Sequence, residues 1–241
     1  MFNSIFLSKM TKSRFNLRNA CTLCSTSVAK IGVTCLAVCM MFASCGKDKD
    51  GDPDDPGGST TGKGVLIGGV RWATSNVDAP GTFAEKPESY GMFYQWNSKV
   101  GWKHSDPLTA VGGTSTWNPS WNGNGAAAWE KANDPCPAGW RMPSGVELDA
   151  LIASGYTWKT VNGVSGMQFG KGSNTIFLPA AGDRDDEDGR LKSVGIMGNY
   201  WSNAQSGDEI TYYLNFFNNN TKVLTAYYRA RGLSCRCVAE D

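Results

Sequence analysis

The stretch "NDPCPAGWRMPSGVELDAL", residues 133–151, holds three prolines, two glycines, a cysteine and a tryptophan ahead of a helix start. Ser144 with Glu147 three residues later is the capping-box pattern, in which each residue satisfies an orphan amide of the other. Leu148, Leu151 and Ile152 fall on one apolar stripe, and Gly155 stands where a helix stops. The stretch therefore predicts a rigid lead-in followed by one short, capped helix, with Trp140 and Met142 facing the core. Such a corner serves either as a catalytic or metal site, or as the staple of a small extracellular fold.

Outward from this corner the pattern changes from helical to extended. "VLIGGVRWATSNV" (65–77) reads as a strand broken at Gly68-Gly69, and "YGMFYQWNSKVGW" (90–102) is aromatic and extended. "NTIFLPAAG" (174–182) is a short buried strand and "GLSCRCVAE" (232–240) a last one. "YYLNFFNNNTKVLTAYYRA" (212–230) reads as a hairpin around Asn218, Asn219 and Asn220, because Asn tolerates turn conformations. Between them lies "KHSDPLTAVGGTSTWNPSWNGNGAAAW" (103–129), rich in Gly, Ser, Thr and Asn. A loop of that length inside a domain is more often functional than incidental. Short strands, one clear helix and long loops imply an α+β class.

Charge divides unevenly. Five of the 23 basic residues (Lys9, Lys12, Arg14, Arg18 and Lys30) and none of the 22 acidic ones fall in residues 1–44, leaving 18 basic against 22 acidic beyond. An acidic remainder argues against a nucleic-acid partner, which needs clustered Lys and Arg. The basic start, the apolar run from Ile31 to Ser44 and the small residues before Cys45 read as a signal peptide. The run is too short to cross a bilayer, which takes about 20 residues. "FASC" (42–45) resembles a bacterial lipobox, in which Cys45 carries lipid and begins the mature chain. Residues 45–63, "CGKDKDGDPDDPGGSTTGK", bear five Asp with Gly and Pro and predict a flexible acidic tether. The Lys-Asp pattern after Cys45 resembles an export signal for outer-membrane lipoproteins displayed on the cell surface; retention in the periplasmic leaflet is the alternative.

Cys21, Cys24, Cys35 and Cys39 leave with residues 1–44, which removes any redox or metal reading of Cys21-x-x-Cys24. Cys136, Cys235 and Cys237 remain in residues 64–241, in an oxidising compartment. Three cysteines make one bridge and one leftover.

"GGVRWATSNV", "YGMFYQWN", "NDPCPAGWRMPSGVELDAL", "FLPAAGDR…DG", "GNYWSN" and the closing "RCV", taken in order over residues 64–241, resemble the Fibrobacter succinogenes major paralogous domain family. The resemblance implies a C-type lectin-like fold with about two helices flanking a small sheet, in a bacterial surface lipoprotein. It implies no enzymatic activity. It also implies a disulfide between Cys136 and Cys237, which leaves Cys235 as a free thiol or a competing partner.

Three candidate sites stand against plainer readings. His104, the one histidine, has Asp106 nearby, but no Gly-x-Ser-x-Gly elbow accompanies them and an exposed loop histidine is the simpler reading. Formylglycine-generating enzymes share a related fold, yet they need a reactive cysteine pair. "DRDDEDG" (183–189) offers Asp183, Asp185, Asp186 and Asp188 as oxygen ligands for Ca²⁺, although Arg184 stands where an EF-hand would place an acid. A solvated acidic turn is the alternative. Trp117 and Trp121, beside Asn118 and Asn122, suit a sugar-binding surface, with rings to stack and amides to bond hydroxyls. Plugging the loop onto the core is the other use of such rings.

These observations predict a non-enzymatic cell-surface lipoprotein with a carbohydrate-binding or adhesion role, its partner a glycan or another surface protein. It is held at the membrane by its lipid and has no cofactor unless Ca²⁺. A structural or accessory subunit of a surface fibre or nutrient-uptake complex is the competing expectation.

Overall fold

The structure is a computed structural model that describes residues 64–240, apart from 114, 208, 209 and 219 and the side chains of 221–225. The signal peptide, the lipidated Cys45 and the tether expected from the sequence lie outside the described residues.

The 133–151 corner folds as its residues dictate. Asp134 accepts the amides of Cys136 (2.9 Å) and Met142 (3.0 Å) on its two oxygens, closing the proline-rich turn around one carboxylate. The helix Gly145–Ala153 is capped by Ser144, whose hydroxyl accepts from the Glu147 amide while Glu147 accepts from the Ser144 amide. Arg141 locks Glu147 in a two-pronged ion pair at 2.9 and 2.7 Å. Burial alone would raise the Glu147 carboxyl, but the bonds from Arg141 and Ser144 outweigh it and hold it below the usual range. Leu148 and Leu151 are buried, and Gly155 ends the helix at φ 98°. Trp140 and Met142 are core residues, as read from the sequence.

The corner is then stitched to the C-terminus. Strand Val238–Ala239 lies between Trp140–Arg141 and Val70–Trp72 in a four-stranded sheet that Val65–Ile67 completes. The Cys136–Cys237 disulfide joins the same two segments.

The largest sheet runs in the order Asn220–Tyr228, Ile210–Phe217, Gly198–Gln205, Gly232–Ser234, Phe93–Gln95, Gly101–Trp102, Ala110–Val111. Two short strands, Asp183–Arg184 and Leu191–Lys192, attach at Gly232. A separate three-stranded meander comprises Tyr156–Val161, Val164–Lys171 and Asn174–Pro179.

The α+β expectation with about two helices is overturned. About 40% of the described residues are strand and 9% helical, with one α-helix among them, so the fold is β-rich. Outside 145–153 the apolar residues fall in short strands, several buried in continuous runs such as residues 176–179 and 198–202, and glycines punctuate them. The two remaining helical pieces are single 3₁₀ turns, Gly123–Gly125 and Lys131–Asn133.

Three aromatic-rich clusters fill the interior. Trp96, Trp129, Trp140 and Trp201 dominate one; Trp72, Phe169, Leu151 and Phe216 another; Phe93 and Trp102 a third, against which Trp117 packs. Arginines knit the segments between them. Buried Arg236 donates to Asn76 Oδ1 and to the carbonyls of Ala73 and Phe177, and burial pushes its guanidinium down to about 10.

Candidate functional site

The loop 115–122 is held by its own tryptophans. Trp117 donates its indole N–H to the Asp186 carbonyl (2.9 Å) and meets Trp102 edge-on with centroids 5.1 Å apart. Its ring lies over Gly189, where a β-carbon would come within 2.9 Å of the indole and where φ is 70°. Trp121 donates to the Trp96 carbonyl at 2.7 Å. Asn118 turns the chain between them, its Oδ1 accepting from the Ser120 amide and its carbonyl from the Trp121 amide. Both rings are therefore half-buried and fixed in orientation, with core plugging and surface presentation combined in one residue each.

Two cavities open on this loop. The first, about 290 Å³, is lined by Pro119, Ser120, Trp121, Asn122, Asp186, Tyr228 and Ala230. The second, about 470 Å³, is lined by Gln95, Ser98, Trp102, Ser115, Thr116, Trp117, Asn118 and Trp121, with Val100. The four expected ligand residues are thus divided: Asn122 on the first, Trp117 and Asn118 on the second, and Trp121 on both.

The acidic run does not form an open cradle. Arg231, buried and stacked 4.2 Å over Tyr227, reaches three carboxylates: Asp185 at 2.7 Å, Asp183 at 3.2 Å and Asp186 at 3.3 Å. Lys192 adds a second cation on Asp185. Asp188 turns away to Arg190. Burial would raise Asp185, but the bonds from Lys192 and Arg231 prevail and hold it down to about 2. At Asp183 burial wins over Arg231, and the carboxyl is pushed up to about 6. Among the described residues no group of three or more His, Cys, Asp and Glu is placed to hold a metal ion. The oxygens that the sequence offered to Ca²⁺ largely face a guanidinium.

The other sequence candidates separate. Asp106 pairs with Arg184 Nη1 at 3.5 Å, while His104 is exposed and lies edge-on to Tyr90 at 5.8 Å, so the two share no chemistry. Cys235 is a buried free thiol, and burial raises it well above its ordinary range. A thiol held protonated is a poor nucleophile.

Sequence reading missed Tyr228, Ser120, Gln95 and Arg231 as parts of this region. Tyr228 ends a hairpin strand and Arg231 lies in the turn that follows it, more than 100 residues from Trp121. No local pattern announces such a meeting. No protein-family model, curated protein or solved structure matches the chain, so the functional reading rests on this geometry.

Proposed function

We propose that this protein is a non-enzymatic binding protein that takes neutral glycans in the cavity between Trp121, Asn122, Asp186 and Tyr228. The observation that carries it is the convergence of three sequence-distant segments on one small polar cavity. Trp121 and exposed Tyr228 supply ring faces for the C–H side of a sugar. Asn122 and Ser120 supply side chains that donate and accept. Asp186 uses Oδ1 on Arg231, and its Oδ2 makes no bond among the described residues, leaving a carboxylate oxygen for sugar hydroxyls. A volume of about 290 Å³ sits at the floor of the ~300–1,000 Å³ range of ligand pockets and suits one sugar ring. The carboxylate disfavours acidic sugars by like-charge repulsion.

The leader and tether residues support a lipid anchor at Cys45 and display from the outer membrane. The ordered sequence blocks support membership of the Fibrobacter succinogenes major paralogous domain family.

The test is a glycan array with the full-length chain in detergent, run in calcium and again in chelator. Binding to neutral glycans that survives chelation and falls about tenfold or more in Tyr228→Ala is expected. Absence of binding under both conditions overturns the reading and favours an accessory subunit of a surface assembly. Loss only in chelator transfers the site to a metal-dependent one.

A further inference from the structure

We infer that the second cavity, which shares Trp121 with the first, is another sugar subsite, so that the ligand is a neutral oligosaccharide of at least two rings spanning Trp121. This rests on the glycan reading above and goes beyond it by fixing the ligand's length. Trp121 lines both cavities and is the one residue their linings share. The second cavity adds the ring of Trp117 and a rim of hydroxyls from Ser115 and Thr116.

Gln95 gives the subsite a fixed polar group. Its Nε2 donates to the carbonyls of Asn118 (2.8 Å) and Ala230 (2.7 Å), one residue from the wall of each cavity. Two carbonyl acceptors on one nitrogen settle which way the amide is turned. Gln95 is 4% exposed and lines the cavity, so its amide is a rigid part of the wall. The two tryptophan rings are anchored through their indole N–H groups to the Asp186 and Trp96 carbonyls. The walls therefore stand in place before a ligand arrives, which lowers the ordering cost of binding.

The probes are glucose, mannose and N-acetylglucosamine, each with its two- and three-unit homo-oligomers, titrated calorimetrically into the full-length chain. The expected result is a disaccharide bound about tenfold or more tightly than its monosaccharide, with that gain abolished in Thr116→Trp, which fills the second cavity from its exposed rim. Monosaccharide affinity stays within about twofold of the unmodified chain in this variant. Ser115→Trp, at a neighbouring rim position, should repeat the effect and guards against a folding defect in one variant. Equal affinity for one-, two- and three-unit probes, with Tyr228→Ala still abolishing binding, overturns the second subsite and leaves the first standing. Oligomer affinity unchanged in both tryptophan variants does the same. No binding of any probe removes both readings together.

Discussion

Asp183 shows how one carboxylate can sit beside a cation and still be held neutral into the mildly acidic range. Its Oδ2 lies 3.2 Å from Arg231, yet without the direction of a hydrogen bond, and Oδ1 accepts from the Asn199 amide at 3.2 Å. Arg231 is shared with Asp185 and Asp186, so its field is divided while the burial cost of Asp183 is not. The sign follows from linkage. Below the ordinary value of 3.8 both folded and unfolded chains hold the proton. Between 3.8 and about 6 only the folded chain holds it, so stability falls as pH rises through that window. The loss is about 3 kcal/mol at most, at 1.36 kcal/mol per unit. Asp185 works oppositely and in a separate window: its contribution is present above 3.8 and is lost as pH falls towards about 2. Asp183→Asn should therefore match the unmodified protein near pH 4 and gain on it steadily to pH 6.5, read as the difference in thermal midpoints. A flat difference across that range would show that Asp183 ionises normally. The acids of this cluster were legible in the sequence, as was their crowding. Their partner was not, because Arg231 arrives from a turn some 45 residues on, and it converts an apparent calcium loop into a guanidinium cage.

At the scale of elements, legibility followed the range of the signal. The capped helix, the hairpin of Ile210–Phe217 and Asn220–Tyr228 and the strand Asn174–Pro179 were all readable because their cues are local. The hairpin Tyr156–Lys171 was overlooked although it carries one of the strongest short-range cues, Asn162-Gly163 with φ of 48° and 83°. The second helix came from family likeness and had no residues of its own behind it. Packing of one element on another left a subtler mark. Gly198 pairs with Phe216 across two strands, and a β-carbon there would lie 2.0 Å from the Phe216 ring. That ring stacks on Tyr200 at 5.8 Å and contacts Phe169, so it has nowhere to retreat. Gly198→Ala should cost about 3 kcal/mol, the upper end for overpacked cores, lowering the urea midpoint at constant m-value. An unchanged midpoint would mean the Phe216 ring has room that the packing denies.

For the whole molecule, the decisive connection is between residues far apart in sequence. Cys136 opens the rigid lead-in, and Cys237 precedes the strand that pairs with both Trp140–Arg141 and Val70–Trp72. The bridge thus pins the C-terminus where three segments already share backbone bonds, including Ala73 to the Cys237 carbonyl and Glu240 to the Gly139 carbonyl. The loop closed spans 101 residues, for which the chain-entropy account gives a stabilisation of about 4 to 5 kcal/mol. Because the bonds around it persist without the bridge, its removal should lower stability and leave the fold intact. The double variant Cys136→Ser/Cys237→Ser should therefore keep the near-ultraviolet signal of its packed tryptophans while its unfolding free energy from urea titration drops by that amount. Cys235 sharpens the test. Buried and held as a thiol, it should not replace Cys237, so Cys237→Ser alone should match the double variant. Recovery of stability in the single variant, with a Cys136–Cys235 peptide on mapping, would show that the C-terminal segment can shift to offer its other sulfur.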